Sequence, residues 1–550
     1  MSEAAGPPET EVASHRDRTD APPGERPNLD GGGHIMGVLL FIAVALAALL
    51  FVVHSIVRDM HASNSPALAT GTLVLLGLAL FIALGFEFVN GFHDTANAVA
   101  TVIYTYSMPA RAAVAWSGIF NFLGVLTSSG AVAFTVVNLL PVELILQASS
   151  GDAFDMIFSL LIAAILWNVG TWWLGLPASS SHTLIGSIIG VGVVNELMAE
   201  PGSGASGVDW SQAAGVFKAL LFSPVIGFIG AALLFLVMRS LVRNKTLYAP
   251  PTGNKPPPIW IRLLLIFTCT GVSFAHGSND GQKGMGLIML ILIGALPTAY
   301  ALNRSMPESY VPAFIQASQE IQHVFTSRAG RTAPMPVGQA RSTVIDALKL
   351  KELDSRQTFA ALGSLAGNIA QQVQKYGSLA AVPPTAVTNI RDDMFAINQA
   401  IRLMQKQGVT FEGSDRVAVT DYRKALDEGT KFIPLWVKVT VAIVLGLGTM
   451  VGWKRIVITV GEKIGKVPMT YAQGASAELV AASTIAVADM YGLPVSTTQV
   501  LSSGVAGTMA AGRAGLQWTT LRSLALAWVL TLPAAIVLGG SLYYLLRAIL

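Results

Sequence analysis

The chain has 550 residues, of which 52% are hydrophobic and only 12% are charged, and its mean hydropathy is +0.57. Soluble domains carry roughly 25% charged residues, so the composition excludes an ordinary soluble protein and predicts an all-α, polytopic membrane protein in a lipid bilayer. The formal net charge of +3 is small and dispersed, without the basic stripe typical of nucleic acid binding. The single cysteine, Cys269, excludes a disulfide framework and a cysteine-based metal site.

The N-terminal region precedes the apolar part of the chain. Residues 1–33 are rich in Pro, Gly and charged residues, and such a segment cannot bury enough apolar surface to order itself, which predicts a disordered tail. The apolar run 36–57 lies too far from the initiator Met for a secretory signal. We therefore interpret residues 34–67 as an additional N-terminal span.

Apolar runs of about 20 residues, long enough to cross a bilayer, recur along the chain. Ten are apparent: 36–57, 68–89, 112–140, 154–174, 213–238, 259–276, 285–302, 432–452, 470–490 and 519–545. Two shorter segments, 179–198 and 496–512, begin with Ser/Thr clusters and are interpreted as half-helices that enter the membrane without crossing it. We expect about 10–12 transmembrane segments in all.

Two polar cassettes occur twice. The first reads Gly91-Phe92-His93-Asp94-Thr95-Ala96-Asn97 and returns as Gly277-Ser278-Asn279-Asp280-Gly281-Gln282-Lys283. The second reads Leu176-Pro177-Ala178-Ser179-Ser180-Ser181-His182 and returns as Leu493-Pro494-Val495-Ser496-Thr497-Thr498-Gln499. The two repeats therefore appear in the same order.

The spacing of the cassettes defines the domain organisation. Asp94 precedes Pro177 by 83 residues, Asp280 precedes Pro494 by 214, and the difference of 131 is close to the length of a hydrophilic stretch at 303–431. We predict repeat 1 at 68–240, and repeat 2 at 241–302 and 432–550 with 303–431 as a hydrophilic insertion.

The positive-inside bias does not orient these spans consistently. Two basic loops both fit a cytoplasmic face, and they contain Arg239, Arg243, Lys245 and Lys255, and Lys454, Arg455, Lys463 and Lys466. With the spans as marked, the loops fall on opposite faces. Either one span is broken or re-entrant, or one basic stretch lies along the interface.

The repeated aspartates are the first candidates for function. An ionised carboxylate inside a membrane costs about 2.5 to 3.5 kcal/mol on insertion scales, so Asp94 and Asp280 need partners or protons. Lys283, three residues after Asp280, could pair with it locally on one helical face. Repetition of the aspartates with flanking polar residues favours a functional site.

The hydroxyl clusters predict an anion site. A helix N-terminus needs one capping hydroxyl, whereas each cluster supplies three: Ser179, Ser180 and Ser181 in repeat 1, and Ser496, Thr497 and Thr498 in repeat 2. Hydroxyls, free amides and the positive end of a helix together bind anions. Carboxylates beside such a site suit an anion that carries a P–OH donor, or one accompanied by a cation.

Other ionisable and polar residues near the cassettes are candidates for coupling to a proton or a cation. Histidine titrates closest to physiological pH, and an intramembrane carboxyl is expensive unless it functions or is paired. The candidates are His93, Asp94, Asn279, Asp280, His182, Glu87 and Glu478. Local pairing or a helix-end location is the alternative for each of them.

The cassettes resemble those of the inorganic phosphate transporter (PiT) family, especially its bacterial low-affinity, proton-coupled branch. Gly91 to Thr101, Leu176 to Gly186, Ala275 to Gly284 and Gly492 to Gln499 carry the resemblance, together with Gly461-Glu-Lys-Ile-Gly-Lys. It covers most of the chain after about residue 70.

The resemblance implies two inverted repeats with re-entrant or broken helices, forming an inner-membrane symporter that imports phosphate or a neutral metal-phosphate complex. It places Asp94, Asn97, Asp280 and the two hydroxyl clusters around phosphate and the coupling ion, and Lys283 would join them. His93 and Lys283 stand where many sodium-coupled members have Asn, which favours protons over sodium. Gln499 stands where His is common, so a symmetric His pair is not available. No cofactor is expected, and a homodimer remains open.

Two alternatives to phosphate symport follow from the same residues. An intramembrane hydrolase using Ser181 and His182 is disfavoured because adjacent helical residues point about 100° apart and cannot form a nucleophile and base pair. Transport of a related oxyanion is the other alternative. Arsenate shares the protonation of phosphate and should compete with it, whereas sulfate should not.

Overall fold

A computed structural model describes residues 27–29, 35–94, 96–140, 154–199, 207–251 and 255–549, without the side chains of 96 and 97. In these ranges the regular elements are helices, and none is a strand, which confirms the all-α prediction. The predicted tail of residues 1–33 lies outside the described residues except for 27–29.

The helices are numbered here in chain order. They are α1 (Ile35–Ala62), α2 (Thr70–Asp94), α3 (Ala96–Tyr104), α4 (Ala110–Thr127), α5 (Ala131–Val137), α6 (Phe154–Trp173), α7 (Ser180–Met198), α8 (Trp210–Leu241), α9 (Ile259–Ala295), α10 (Pro297–Tyr300), α11 (Val311–Ala329), α12 (Val337–Leu350), α13 (Arg356–Tyr376), α14 (Pro384–Lys406), α15 (Gly413–Thr430), α16 (Leu435–Thr449), α17 (Lys454–Glu462), α18 (Tyr471–Met490), α19 (Thr497–Ala511) and α20 (Trp518–Ile549).

Within the described ranges, eight helical stretches are long and apolar enough to cross a membrane by length and composition, counting α2 and α3 as one. The number rises to nine if α15 and α16, bent by 69°, form one span. The count is lower than the ten runs marked in the sequence. Two runs join in α9, and the runs of α16, which has only 15 residues, and of α18 do not meet the criterion on their own. Conversely, α7, predicted as a half-helix that does not cross, is long and apolar enough to be one of the eight.

The runs 259–276 and 285–302 were predicted as separate spans, and this prediction is wrong. The first run and most of the second belong to one helix, α9, which continues from Ile259 to Ala295 through the polar cassette, and the second run ends in the short α10. Ser278, Asn279 and Lys283 of the cassette reach partners on neighbouring elements, so these side chains do not compete with the backbone ladder of α9. Joining the two runs removes one crossing. With α9 as one crossing and the bent α15–α16 pair as the next, both basic loops lie on the same side.

We call this side the basic face. Leu247, from the first basic loop, is buried in one apolar cluster with Ile464 and Met469, which flank the second loop. The other side is the opposite face. There the insertion docks on the start of α8, where Arg402 and Lys406 lie 3.2 and 3.3 Å from Asp209.

Asp209 both caps α8 and anchors the insertion. Its carboxylate accepts hydrogen bonds from the backbone N–H groups of Ser211 and Gln212 at 3.1 and 3.0 Å. Burial raises the pKa of Asp209, but the Ser211 and Gln212 hydrogen bonds and the cations of Lys406 and Arg402 outweigh it and lower the pKa below its usual value. The junction therefore holds a charged carboxylate at neutral pH.

Two helical hairpins, α6–α7 and α18–α19, have tips of the same sequence type. Gly175 and Gly492 adopt φ of +67° and +63°, a left-handed conformation that suits glycine just after a helix. The next residue in each tip, Leu176 or Leu493, donates its N–H to the carbonyl five residues back, at 3.0 and 2.9 Å. A proline follows and cannot continue the helix, so each chain turns back at this point.

The two hairpins enter from opposite directions. Helices α7 and α19 begin close together, since Ser181 Oγ donates to Val495 O at 2.8 Å. Helix α7 ends beside the C-terminal part of α20, where Tyr543 bonds Asn195 at 3.1 Å. Helix α19 ends near the start of α20, at the basic face, where Gly465 lies against Met509 and bonds Gln517.

Glycines let one helix of each hairpin pack closely on a neighbouring long helix. A Cβ on Gly190 of α7 would lie 2.1 Å from the carbonyl oxygen of Ile536 on α20. A Cβ on Gly507 of α19 would lie 2.1 Å from the carbonyl oxygen of Phe228 on α8. Small residues at such positions let membrane helices approach to backbone contact. Helix α7 thus packs on the last helix of the other repeat, as α19 packs on α8.

The two ends of the insertion lie next to each other where the chain leaves the membrane helices and returns to them. The N–H of Asn303 donates to Gly429 O at 2.8 Å, and its side-chain amide donates to Glu428 O at 2.9 Å. Helices α11 to α15 lie between these residues, and their apolar side chains join the same buried cluster as those of the core. Helix α1 is fixed nearby, because Asp59 accepts from Tyr300 and Trp436 at 3.0 Å each.

Candidate functional site

The tips of the two hairpins meet α2 and α9 in the interior of the molecule. The cassette residues of both repeats are brought together there, and their described polar side chains are at most 8% exposed. Asn97 is an exception to this description, because its side chain lies outside the described residues. The described polar groups of the site are therefore shielded from both faces in this conformation.

Asp94, the last residue of α2, is held by hydroxyl groups from both hairpins. Ser180 Oγ of the first hairpin donates to Oδ2, and Thr498 Oγ1 of the second donates to Oδ1 at 2.8 Å. His93 Nδ1 lies 2.9 Å from Oδ1, and its other ring nitrogen lies 3.2 Å from Thr171 Oγ1. One carboxylate therefore connects elements that come from opposite faces.

Asp280, within α9, is paired with positive or polar groups of its own helix. Lys283 Nζ lies 2.7 Å from Oδ1 and His276 Nε2 lies 3.5 Å from Oδ2. The Lys283 ammonium also donates to Ser181 Oγ in the first hairpin. Both Asp280 and Lys283 are fully buried, so this lysine is a cation that the chain itself places beside the two aspartates.

The N-termini of α7 and α19 point into the same region. Ser179 and Ser496 are the caps, and each side chain accepts from a backbone N–H three residues later, at 3.2 Å. Thr497 Oγ1 is buried and has no hydrogen-bond partner among the described residues. Two positive helix ends, a lysine and several hydroxyls thus surround the aspartates, which is the arrangement that binds an anion.

The other candidates for coupling differ in their surroundings. Glu478 is fully buried and accepts from Thr101 and, at 2.5 Å, from Thr268, on the basic-face side of the aspartates. Glu87 is equally buried, but neither of its oxygens has a hydrogen-bond partner within the part of the chain that the structure describes. The ring of His182 is 7% exposed, with Nδ1 likewise unpartnered there.

Asn279 holds the second hairpin rather than facing the aspartates. Its side-chain amide donates to Leu493 O at 3.1 Å, and its side-chain oxygen accepts from the N–H of Val495 at 3.4 Å. Nearby, Asp489 accepts from Ser278 at 2.7 Å and from Gln282 at 2.6 Å. The repeat 2 copy of the first cassette, 277–283, therefore fixes the tip of the second hairpin to α9 through two separate sets of polar contacts.

Several residues of the site were not among the sequence-predicted candidates. Asn90 accepts from Ser180 at 2.7 Å, and Asn121 on α4 lies 2.9 Å from His276 Nδ1 and donates to Thr449 at 3.2 Å. Asn90 adjoins the first cassette and could have been included on that ground. Asn121 is a lone amide in an apolar helix, a pattern that is too common to single out.

Three potential metal ligands lie close together between the two aspartates. Asp94, His276 and Asp280 each offer a ligand atom, and these atoms lie within 4.8 Å of one another. However, the Lys283 ammonium already contacts Asp280 at 2.7 Å and supplies positive charge where an ion would. We therefore assign no metal site to these residues.

The fold and the site together define a polytopic membrane protein with two opposed hairpins that meet at a closed polar centre. A family model described as the phosphate transporter family matches residues 90–539. The chain therefore belongs to the phosphate transporter family, which confirms the resemblance seen in the cassettes. Its relatives are transporters, so the prediction that it is not an enzyme is also confirmed.

Curated relatives extend over nearly the whole chain. The low-affinity inorganic phosphate transporter PitA of Escherichia coli (strain K12) is 40% identical over 507 residues, covering 88% of this chain and 99% of the relative. PitB of the same strain is 39% identical, covering 86% and 97%. A solved structure, "The sodium-dependent phosphate transporter", is 19% identical with a TM-score of 0.46, covering 87% of this chain and 100% of its own.

Proposed function

We propose that this protein imports inorganic phosphate across the bacterial inner membrane together with protons. The observation that carries the proposal is the contact of one buried carboxylate, Asp94, with hydroxyls from both hairpins, Ser180 and Thr498. A site made by two hairpins of opposite direction can open to either face if one repeat moves against the other, as in transporters built from inverted repeats. Relatives named as low-affinity phosphate transporters support phosphate as the substrate.

Phosphate binding follows from the groups in the site. The amides and hydroxyls at the starts of α7 and α19 would donate to the phosphate oxygens, together with the Lys283 ammonium. The P–OH groups that phosphate carries near neutral pH would donate to Asp94 or Asp280. Sulfate has no such group. All of its oxygens are hydrogen-bond acceptors and would be repelled by the two carboxylates, so the site should reject sulfate.

Proton coupling follows from charge. Asp94 and Asp280 carry two negative charges, Lys283 carries one positive charge, and the incoming phosphate adds at least one more negative charge. Burying this excess is unfavourable in a site with no water access. A proton on a carboxyl or on one of the histidines removes part of the excess, and a divalent cation bound to phosphate would do the same. We therefore propose protons as the coupling ion, with a metal-phosphate complex as a second form of the substrate.

The test is uptake of labelled phosphate by proteoliposomes, with pH and sodium gradients imposed separately. The wild-type protein should accumulate phosphate with the pH gradient and not with the sodium gradient. Asp280→Asn should abolish uptake, since it weakens the pairing with Lys283 and removes an acceptor of P–OH. Asp415→Asn, at the start of α15 in the insertion, is the control and should transport normally.

Competition identifies the substrate class. Unlabelled arsenate should compete with phosphate, and sulfate should not; adding a chelator for divalent ions shows whether a metal complex is carried. Accumulation driven by sodium alone, or full uptake by Asp280→Asn, would refute the coupling and the role of Asp280 respectively.

A further inference from the structure

Glu87 is a buried carboxyl group that the phosphate site does not use. It lies on α2, seven residues before Asp94, which is about 10 Å along a helix at 1.5 Å per residue. Because α2 follows the end of α1, which is fixed at the opposite face through Asp59, Glu87 lies on the opposite-face side of the aspartates. It is 0% exposed.

The carboxyl group of Glu87 is pressed against α9. A Cβ on Gly284 would lie 2.1 Å from Glu87 Oε1 and 2.4 Å from its carboxyl carbon. Gly284 follows Lys283 directly and lies four residues, or one helical turn, after Asp280. Glycine at this position leaves room for the carboxyl group beside the Asp280–Lys283 pair.

The surroundings of Glu87 do not suit a permanent anion. Neither oxygen makes a hydrogen bond of normal geometry within the described residues. The Asn90 amide and the Gly284 N–H beside it offset the cost of burial only in part, and an ionised carboxylate buried with so little donation costs several kcal/mol. The titratable groups that face it are Asp280, which repels an anion, and Lys283, which attracts one. Lys283 is already paired with Asp280 at 2.7 Å, so the neutral acid is the form that fits this environment.

A polar contact continues from Glu87 toward the site. Asn90 lies one turn further along α2, and its side-chain amide nitrogen has no hydrogen-bond partner within the described residues. Its side-chain oxygen accepts from Ser180, which also contacts Asp94. Glu478 provides a contrast, because both of its oxygens accept hydroxyl hydrogen bonds. A fully buried acid with no such partners is suited to hold and release a proton.

We propose that Glu87 is the proton carrier on the opposite-face side of the phosphate site and that it delivers its proton to Asp280. The proton leaves the Glu87 carboxylic acid as a carboxylate forms there, and it binds a carboxylate oxygen of Asp280, which becomes neutral. Neutral Asp280 no longer pairs with Lys283 as an ion, so the ammonium can turn to the phosphate. Proton delivery and phosphate binding are thereby linked. The inference rests on the proposed phosphate import.

The test separates exchange of phosphate from its accumulation. In proteoliposomes at equal pH on both sides, Glu87→Gln should exchange labelled for unlabelled phosphate within about two-fold of the wild-type rate, because the amide keeps the shape of the acid. With an imposed pH gradient, the same variant should lose at least about 10-fold in accumulation, and its uptake should no longer change with external pH. Glu196→Gln, at the end of α7, is the matched control and should behave as wild type in both assays.

Glu87→Asp covers the case in which the glutamine variant does not fold. It keeps an acid and should keep accumulation driven by the pH gradient, with an altered dependence on external pH. Gradient-driven accumulation at the wild-type level in folded Glu87→Gln would overturn the proposal, as would an equal loss of exchange and accumulation. If the wild-type protein itself exchanges no labelled phosphate, the proposed phosphate import fails, and this outcome is recognised before any variant is compared.

Discussion

Ser179 and Ser180 are neighbours with the same side chain and different partners. Ser179 caps α7 by accepting from the N–H of His182, whereas Ser180 contacts the charged Asp94. A cap hydroxyl contributes about 1 kcal/mol to stability. A hydrogen bond to a charged group contributes about 1.5 to 3 kcal/mol, and here it forms part of the site. The two serines thus separate a structural from a functional use of the same cassette.

Replacing each serine by alanine should give different results. Ser180→Ala should reduce phosphate uptake by the folded variant about 10- to 100-fold, which is the change expected for about 1.5 to 3 kcal/mol, and should also lower the thermal stability, because the buried Asp94 loses a donor. Ser179→Ala should lower the midpoint of thermal unfolding in detergent by an amount equivalent to about 1 kcal/mol and reduce uptake less. Uptake by proteoliposomes and a thermal melt of each variant measure these effects. Equal effects on uptake would show that the hydroxyls are not distinguished in this way.

The charged and hydroxylated residues of the site could be predicted from the sequence, but the residues that hold them in place could not. Asp94, Ser180 and Thr498 were found because the cassettes recur, and a repeated polar group in an apolar chain needs a reason. Asn121 has no repeated neighbour, and only the packing of α4 on α9 brings it to His276. Contacts of this kind depend on the rotation of one helix about its axis, which residue spacing alone does not determine.

Helices α7 and α20 pack through backbone contact. The carbonyl oxygen of Ile536 would be 2.1 Å from a Cβ at Gly190, whereas a Cβ at Gly170 on α6 would meet nothing within 4 Å. Both glycines lie inside membrane helices, where alanine favours helix formation by about 1 kcal/mol. The two positions therefore separate helix propensity from packing.

Gly190→Ala should destabilise the protein by about 1 to 3 kcal/mol, the usual cost of overpacking, because two backbones must separate. Gly170→Ala should leave the stability unchanged or raise it slightly. Thermal unfolding of the two variants in the same detergent measures the difference. If Gly190→Ala were as stable as Gly170→Ala, the close approach of α7 to α20 would be wrong.

The elements were predicted well where composition changes sharply and poorly where a polar cassette lies inside a helix. The Gly-Leu-Pro steps mark the hairpin tips, and the helix at 497–511 falls within the predicted segment 496–512. The companion segment 179–198 was predicted as a half-helix too, but α7 is long and apolar enough to cross a membrane. The residues from Gly277 to Lys283 also looked like a break, yet α9 runs through them. Their side chains bond to Leu493, Asp489 and Ser181, which lie 214, 207 and 102 residues away along the chain, and periodicity cannot reveal partners so distant in sequence.

The whole molecule has a basic face and a face that bears the insertion. Since short cytoplasmic loops are enriched in Lys and Arg, we expect the basic face in the cytoplasm and the insertion outside. Ser414 in the insertion and Lys466 in the second basic loop are both exposed, while the native Cys269 is buried. Single cysteines at 414 and 466 can therefore report the two faces.

In intact cells, Ser414→Cys should react with a membrane-impermeant maleimide, and Lys466→Cys should react only after the membrane is permeabilised. The Cys269→Ser background without either substitution is the control and should stay unlabelled. Labelling of 466 alone in intact cells would reverse the orientation. Labelling of both sites in intact cells would place them on one face and contradict the fold.

The adjoining ends of the insertion have a consequence for how such a chain can change over time. Asn303 and Gly429 are already joined by a hydrogen bond of 2.8 Å, so a turn of about two to five residues, as in other helix hairpins, would bridge the gap left by removing everything between them. The helical block is thus a module that can be gained, exchanged or lost in a single genetic event without re-threading the spans on either side.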